Sequence, residues 1–261
     1  LVAQFLEDVV RTEPAALVLR GRCYEREAVP YKAFDSLIDA LTRYLERLDE
    51  PARASLSPRG TYALARLFPV LEGALPPPSS AAIEDVEQMD PKDLRRTAFA
   101  AFKEVLRRLA RKHLLVLHVD DAQWGDIDSA RLLEALVEPP DAPPIFMVFS
   151  FRSEQESTSE MLLETRALRS RRGARTIELR ELGEEEALAV ARQLIVRGGR
   201  APVEVARIIA RESGGSPFFV QELVHYEEDR ALRTTNRLTT TSSPASLDEV
   251  LLARIARMAP E

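Results

Sequence analysis

The feature that most constrains this chain is Leu114-Leu115-Val116-Leu117-His118-Val119, followed at once by Asp120-Asp121. A run this compact and this apolar reads as a β-strand buried on both faces, which is the habit of parallel strands sandwiched by helices. A parallel strand that ends in two acids puts carboxylates at its carboxyl edge, where α/β sheets bind ligands. One carboxylate there can hold Mg²⁺ through its water shell, and the second can accept a proton from an attacking water. The alternative reading is a capped strand-to-loop turn, a place Asp also favours.

The rest of the chain supplies matching elements. Leu1, Val2, Phe5, Leu6 and Val9 form one apolar helical stripe. Ala16 to Leu19 is a short buried strand ahead of Arg20-Gly21. Helical patterns cover Phe34 to Leu48 and Tyr62 to Leu71, and residues 73–91, with Pro76-Pro77-Pro78 and Glu84, Asp85 and Glu87, read as an exposed loop. Asp90-Pro91 opens a long helix to about Lys112, with Asp as cap and Pro in the first turn. A helix over Asp128 to Val137 precedes a second buried strand, Ile145 to Phe149, and Thr176 to Leu179 is a third candidate. From Gly183 onward the pattern is helical, apart from a Thr/Ser-rich stretch over 233–246 before a last helix from Leu247. Alternating strands and helices, then helices alone, predict an α/β layer followed by a helical subdomain.

Composition excludes several classes. Ten glycines and four lysines yield no Gly-Lys pair, so these residues contain no G-x-x-x-x-G-K-[ST] phosphate loop. Cys23 is the single cysteine, which rules out an internal disulfide and fits a reducing, cytoplasmic setting. No apolar run approaches the roughly 20 residues of a membrane span. The formal net charge of −6 argues against a surface built to coat nucleic acid. His113, His118 and His225 share no H-E-x-x-H or Cys/His spacing, which leaves His118 as a satisfied buried histidine rather than a zinc ligand.

The stretch Asp120-Asp121-Ala122-Gln123-Trp124-Gly125-Asp126 after its apolar strand resembles the Walker B segment of the STAND branch of AAA+ ATPases. Gly21-Arg22-Cys23-Tyr24-Glu25-Arg26-Glu27 looks like the segment after that family's second strand. Phe151-Arg152-Ser153-Glu154 looks like its sensor-1 region, and Ser213-Gly214-Gly215-Ser216-Pro217-Phe218-Phe219 like its lid motif. Ser246-Leu247-Asp248-Glu249-Val250-Leu251 resembles the entry to a winged-helix part. Each match is weak alone, but in this order they span nearly the whole chain.

The resemblance implies a P-loop NTPase-like parallel sheet of strand order 5-1-4-3-2, lacking its first strand here. It is followed by an α-helical lid and the start of a winged-helix region. The implied limits are 1–181 for the nucleotide-binding core, 182–232 for the lid, and 233–261 for the linker and winged-helix start. Leu1 to Leu6 look like the helix just after the phosphate loop, so the missing strand leaves an expected slot between the strands near Ile145 and Thr176. By the same resemblance Asp120 holds Mg²⁺, Asp121 polarises the attacking water, and Arg152 senses the terminal phosphate. Gly215 and Pro217 pack the lid against base and ribose, while Trp124 and Asp126 brace the loop. The implied ligands are ATP or ADP with Mg²⁺. The implied partners are other domains of a bacterial signalling protein, such as a Ser/Thr kinase, with nucleotide-dependent self-association. An aspartate as second acid, where many relatives have Glu, suits a slow switch. A non-catalytic scaffold and the ATPase part of a transcription regulator are the alternatives. The run Arg166, Arg169, Arg171, Arg172 and Arg175 reads as a solvated helix end, with a trans-acting arginine as its functional counterpart.

Overall fold

The computed structural model describes residues 1–26, 29–198 and 203–234. The chain divides into two compact units, Leu1–Ala174 and Arg175–Glu261.

The first unit is built on three parallel strands in chain order: β1 (Ala16–Arg22), β2 (Leu114–Asp120) and β3 (Ile145–Phe149). Ala16 pairs with Leu114 and Leu115 with Ile145, so β2 is central, as its apolar run requires. This order is the 4-3-2 portion of the expected sheet. Alternation divides the side chains cleanly. Leu19, Leu115, Leu117 and Val119 lie in the main core with Ile145, Met147 and Phe149, whereas Arg20, Arg22, His118 and Asp120 belong to the opposite set.

Helices fill the long connections that parallel strands demand. Helix α1 (Val2–Thr12) precedes β1, and its Phe5 ring lies 6.1 Å from Phe146 of β3. Helix α2 (Lys32–Glu46) packs on β1 so closely that a Cβ on Gly21 would lie 2.9 Å from Leu37 Cγ. Three short helices follow, α3 (Glu50–Leu56), α4 (Thr61–Leu67) and α5 (Ser80–Glu87). Then α6 (Pro91–Ala110) buries Phe102, Val105, Leu106 and Leu109. Its cap is the expected one: the Asp90 carboxylate accepts the Lys92 and Asp93 amides at 2.8 and 2.9 Å. Helix α7 (Ile127–Val137) links β2 to β3, and α8 (Glu160–Glu164) and α9 (Arg166–Arg171) close the unit.

Helix α5 corrects the expected loop over 73–91. The Ser79 hydroxyl accepts the Ala82 amide at 3.2 Å, and Val86 is buried in a small cluster with Ala63 and Ala98. A cap and one buried contact suffice for two turns. The arginine run also resolves: Arg169 pairs with Glu156 at 2.8 Å and Arg171 with Glu134 at 3.4 Å, so both serve the fold.

The second unit holds α10 (Glu184–Gly198), α11 (Ala206–Glu212) and α12 (Pro217–Thr234) around Ala187, Ala191, Ile195, Ile209, Val220 and Leu223. The strand expected over Thr176 to Leu179 does not form. Residues 174–183 carry no regular structure, with Ile177 77% and Leu179 68% exposed. A strand exists only where a neighbour takes its ladder bonds, and charged Arg175, Glu178, Arg180 and Glu181 interrupt what apolar pattern there is. The slot expected between two strands is therefore absent as such, and β3 is an edge strand among the described residues. Most of the expected linker and the winged-helix entry, residues 235–261, lie outside the described residues. Among the described residues no helix is long and apolar enough to cross a membrane.

Candidate functional site

The site forms where β2 ends. Asp121 turns the chain with φ 54° and ψ 39°, the left-handed region that Asp tolerates better than most residues. A 3-10 turn over Ala122–Trp124 follows. The Asp126 carboxylate then caps α7 by accepting the Ser129 amide at 2.6 Å, which is the bracing role expected of it. The loop is fastened on both sides: Cys23 N–H donates to Asp120 O at 3.0 Å, and Ala122 N–H to Ser150 O at 2.9 Å. Gly125 has no room for a side chain, because a Cβ would sit 2.2 Å from Met161 Sδ.

Asp120 and Asp121 have different surroundings. The Ser150 hydroxyl donates to Asp120 Oδ1 at 2.5 Å. His118 Nε2 lies 3.3 Å from the same hydroxyl, so with the Ser150 proton on Asp120 the imidazole presents its N–H. Burial holds the His118 imidazole below its ordinary pKa, and Arg20 adds to this while the Asp120 charge opposes it. His118 is thus the satisfied, half-buried histidine expected from its place in the strand.

Asp121 accepts more. Arg22 Nε and Nη2 both donate to Oδ2, at 2.8 and 2.6 Å, and Gln123 Nε2 donates to Oδ1 at 3.0 Å. Burial pushes the Asp121 carboxyl up. Hydrogen bonds from Gln123 and Arg22, with the charges of Arg22 and Arg152, outweigh it and hold the group below the carboxylate range. Gln123 also ties the loop to β3, its Oε1 accepting the Arg152 amide at 3.3 Å. The exposed Arg152 guanidinium has no hydrogen-bond or ion-pair partner among the described residues.

The structure therefore brings Asp120, Asp121 and Arg152 together. It adds three residues to which sequence reasoning gave no role: Arg22, Gln123 and Ser150. The signal for Arg22 lay in β1, where Arg20 and Arg22 interrupt an apolar strand at a spacing of two. Gly215 and Pro217 lie in the second unit. Gly215 has φ +81°, and a Cβ there would lie 2.4 Å from the Leu182 carbonyl oxygen. Its own carbonyl accepts the Leu182 amide at 2.8 Å, and Pro217 opens α12. These contacts belong to the fold of that unit.

The donor set fits Mg²⁺. It is carboxylate and hydroxyl oxygen, and no group of three or more His, Cys, Asp or Glu among the described residues could by itself hold a metal. Mg²⁺ suits such a place, since it keeps several waters and binds through one or two carboxylates plus substrate phosphates.

No curated protein and no solved structure matches the chain. A family model described as AAA ATPase domain matches residues 1–148, a span that covers α1, all of β1 and β2, and the Asp120–Asp121 loop. With more than half of its 261 residues matched, the chain belongs to the AAA ATPase domain family.

Proposed function

We propose that this chain is the nucleotide-binding core of a STAND-type signalling switch in a larger bacterial regulatory protein, of the kind joined to Ser/Thr kinases or other regulators. The observation that carries this reading is the pair of adjacent carboxylates at the carboxyl end of the central parallel strand, flanked by Arg22 and Arg152. Mg-ATP supplies the phosphoryl group and a metal that neutralises its charge. Asp120, anchored by Ser150, would hold the water shell of the metal. Arg152, with its guanidinium unpartnered, would meet the terminal phosphate, for which a planar cation is suited. Asp121 would polarise the attacking water. In the conformation described, its Oδ2 is taken by Arg22, and a carboxylate of depressed pKa is a weak proton acceptor. Both point to slow turnover, as a switch needs. In the second unit, Gly215 and Pro217 would shape the lid against base and ribose.

The phosphate contacts of a Gly-Lys-Ser/Thr loop are not among these residues. The 261 residues alone should therefore bind Mg-ATP poorly, and micromolar affinity in a titration would contradict that. In the parent protein Asp120→Ala should abolish Mg²⁺-dependent hydrolysis, and unchanged hydrolysis would remove the assignment. The Arg22–Asp121 pair also favours a second reading, a non-catalytic scaffold of the same fold. A parent with no hydrolysis in either form, wild type or Asp120→Ala, would support it.

A further inference from the structure

A cavity of about 390 Å³ lies at the end of the first unit away from Asp120 and Asp121, beside the last turns of α6 where the chain turns into β2. Arg107, Arg108, Arg111 and Lys112 line it together with Glu104, Ser55 and Leu56. Four cations face one carboxylate, in a chain whose formal net charge is −6.

The cations are not equivalent. Glu104 is shared: Arg107 Nε donates to Oε2 at 2.6 Å and Arg108 Nε to Oε1 at 2.7 Å. Arg108 is fixed further, Nη1 donating to the carbonyls of Ser55 and Ser57 at 3.1 Å each. It is a wall of the cavity. Among the described residues Arg107 has Glu104 as its hydrogen-bonded partner, with Asp141 acting on it through space. Arg111 and Lys112 are exposed and form no ion pair among the described residues. Cations at a helix end often serve the helix dipole. Here Arg107 and Arg108 turn back to Glu104, and the Leu109 carbonyl is already bonded by the Lys112 and His113 amides. Glu104, with Asp141 acting through space, faces the four cations Arg107, Arg108, Arg111 and Lys112, an excess of positive charge that an anion would balance.

We propose that this cavity is a binding site for a small, multiply charged phosphate anion, gripped by Arg107, Arg111 and Lys112 against the fixed Arg108. The class follows from the lining. Guanidinium forks match phosphate oxygens bidentately, and Lys adds a point charge. Leu56 is the single apolar side chain and there is no aromatic platform, so the site selects the phosphate chain rather than a base or an acyl tail. A long polyanion is disfavoured because the chain as a whole carries a formal net charge of −6.

The test is calorimetric titration of the 261-residue chain with pyrophosphate and with tripolyphosphate, without Mg²⁺. One saturable site is expected, weakening as salt rises. The double variant Arg111→Gln/Lys112→Gln, whose side chains are exposed and unpaired, should bind about tenfold or more weakly with unchanged far-ultraviolet dichroism. Ser55→Asp, which adds a carboxylate to the rim, should weaken binding in the same direction. Arg152→Gln should bind as the wild type does. Three results would overturn the proposal: no saturable binding, loss of binding in Arg152→Gln but not in the double variant, or tighter binding of a short oligonucleotide or a polyglutamate peptide with the same variant sensitivity.

Discussion

Replacing Gly125 with Ala places one methyl group directly behind the acidic loop, and the structure gives its cost. Gly125 has φ −64° and ψ 151°, which any residue adopts, so no backbone strain enters. The whole effect is steric. The added carbon would lie 2.2 Å from Met161 Sδ and 3.1 Å from both Met161 Cβ and Ala122 O. Ordinary contact lies near 3.5–4.0 Å, so loop or Met161 must move by about 1.5 Å. Met161 is 1% exposed, so its thioether can shift only by displacing packed core neighbours. Overpacking of this kind costs about 1–3 kcal/mol. Urea unfolding followed by dichroism measures that loss, and Trp124, the single tryptophan, reports the loop through its fluorescence. A double-mutant cycle isolates the cause. Met161→Ala alone should cost about 2–5 kcal/mol as a buried truncation. In the double variant the Sδ clash disappears and only the 3.1 Å approaches to the retained Cβ and to Ala122 O remain, so the two losses should fall short of additivity by about 1–3 kcal/mol. Strict additivity, or a Gly125→Ala loss below about 0.5 kcal/mol, would refute the account.

Two further outcomes follow. Gly215→Ala should destabilise the second unit more than Gly125→Ala does the first, because a left-handed φ and a clash with a main-chain oxygen act together, and thermal unfolding of both variants checks the order. Asp121, Asp90 and Glu104 all have depressed folded-state pKa values, so each contributes stability that is complete above its unfolded value and lost as pH falls through the folded one. Stability should therefore decline below about pH 4, and Arg22→Gln should move the Asp121 part of that decline to higher pH in a carboxylate NMR titration.

The strands were legible because each opens on an apolar run of four residues or more, and β2 announces its own carboxyl end with two acids. The α6 start was legible because Asp90 is a side-chain cap, a code read within four residues; α7 starts at Ile127 behind the Asp126 cap, one residue ahead of the expected Asp128. Helix α5 was not, because Val86 becomes a core residue only against Ala63 and Ala98, from other helices. The segment at Thr176 misled for the converse reason: its apolar residues suggest a strand, but among the described residues no ladder partner meets them. Within the site, Asp120, Asp121 and Arg152 follow from motif order. The Arg22–Asp121 bond spans 99 positions and depends on β1–β2 register, which places Arg22 opposite Asp120. Nothing local encodes it.

That same register has a consequence for synthesis. Ala16 pairs with Leu114, 114 − 16 = 98 residues later, and among the described residues β1 has no other strand neighbour. At a translation rate of about 5–20 residues per second, β1 waits about 5–20 seconds for its partner to be made. The helices between them can form locally meanwhile, but an apolar strand with open edges is the kind of surface that associates with other chains. Arg20 and Arg22, of which Arg22 later binds Asp121, stand at the end of that strand throughout the wait. The arginine that fastens the acidic loop, with Arg20 beside it, thus also guards the nascent strand against pairing with the wrong one.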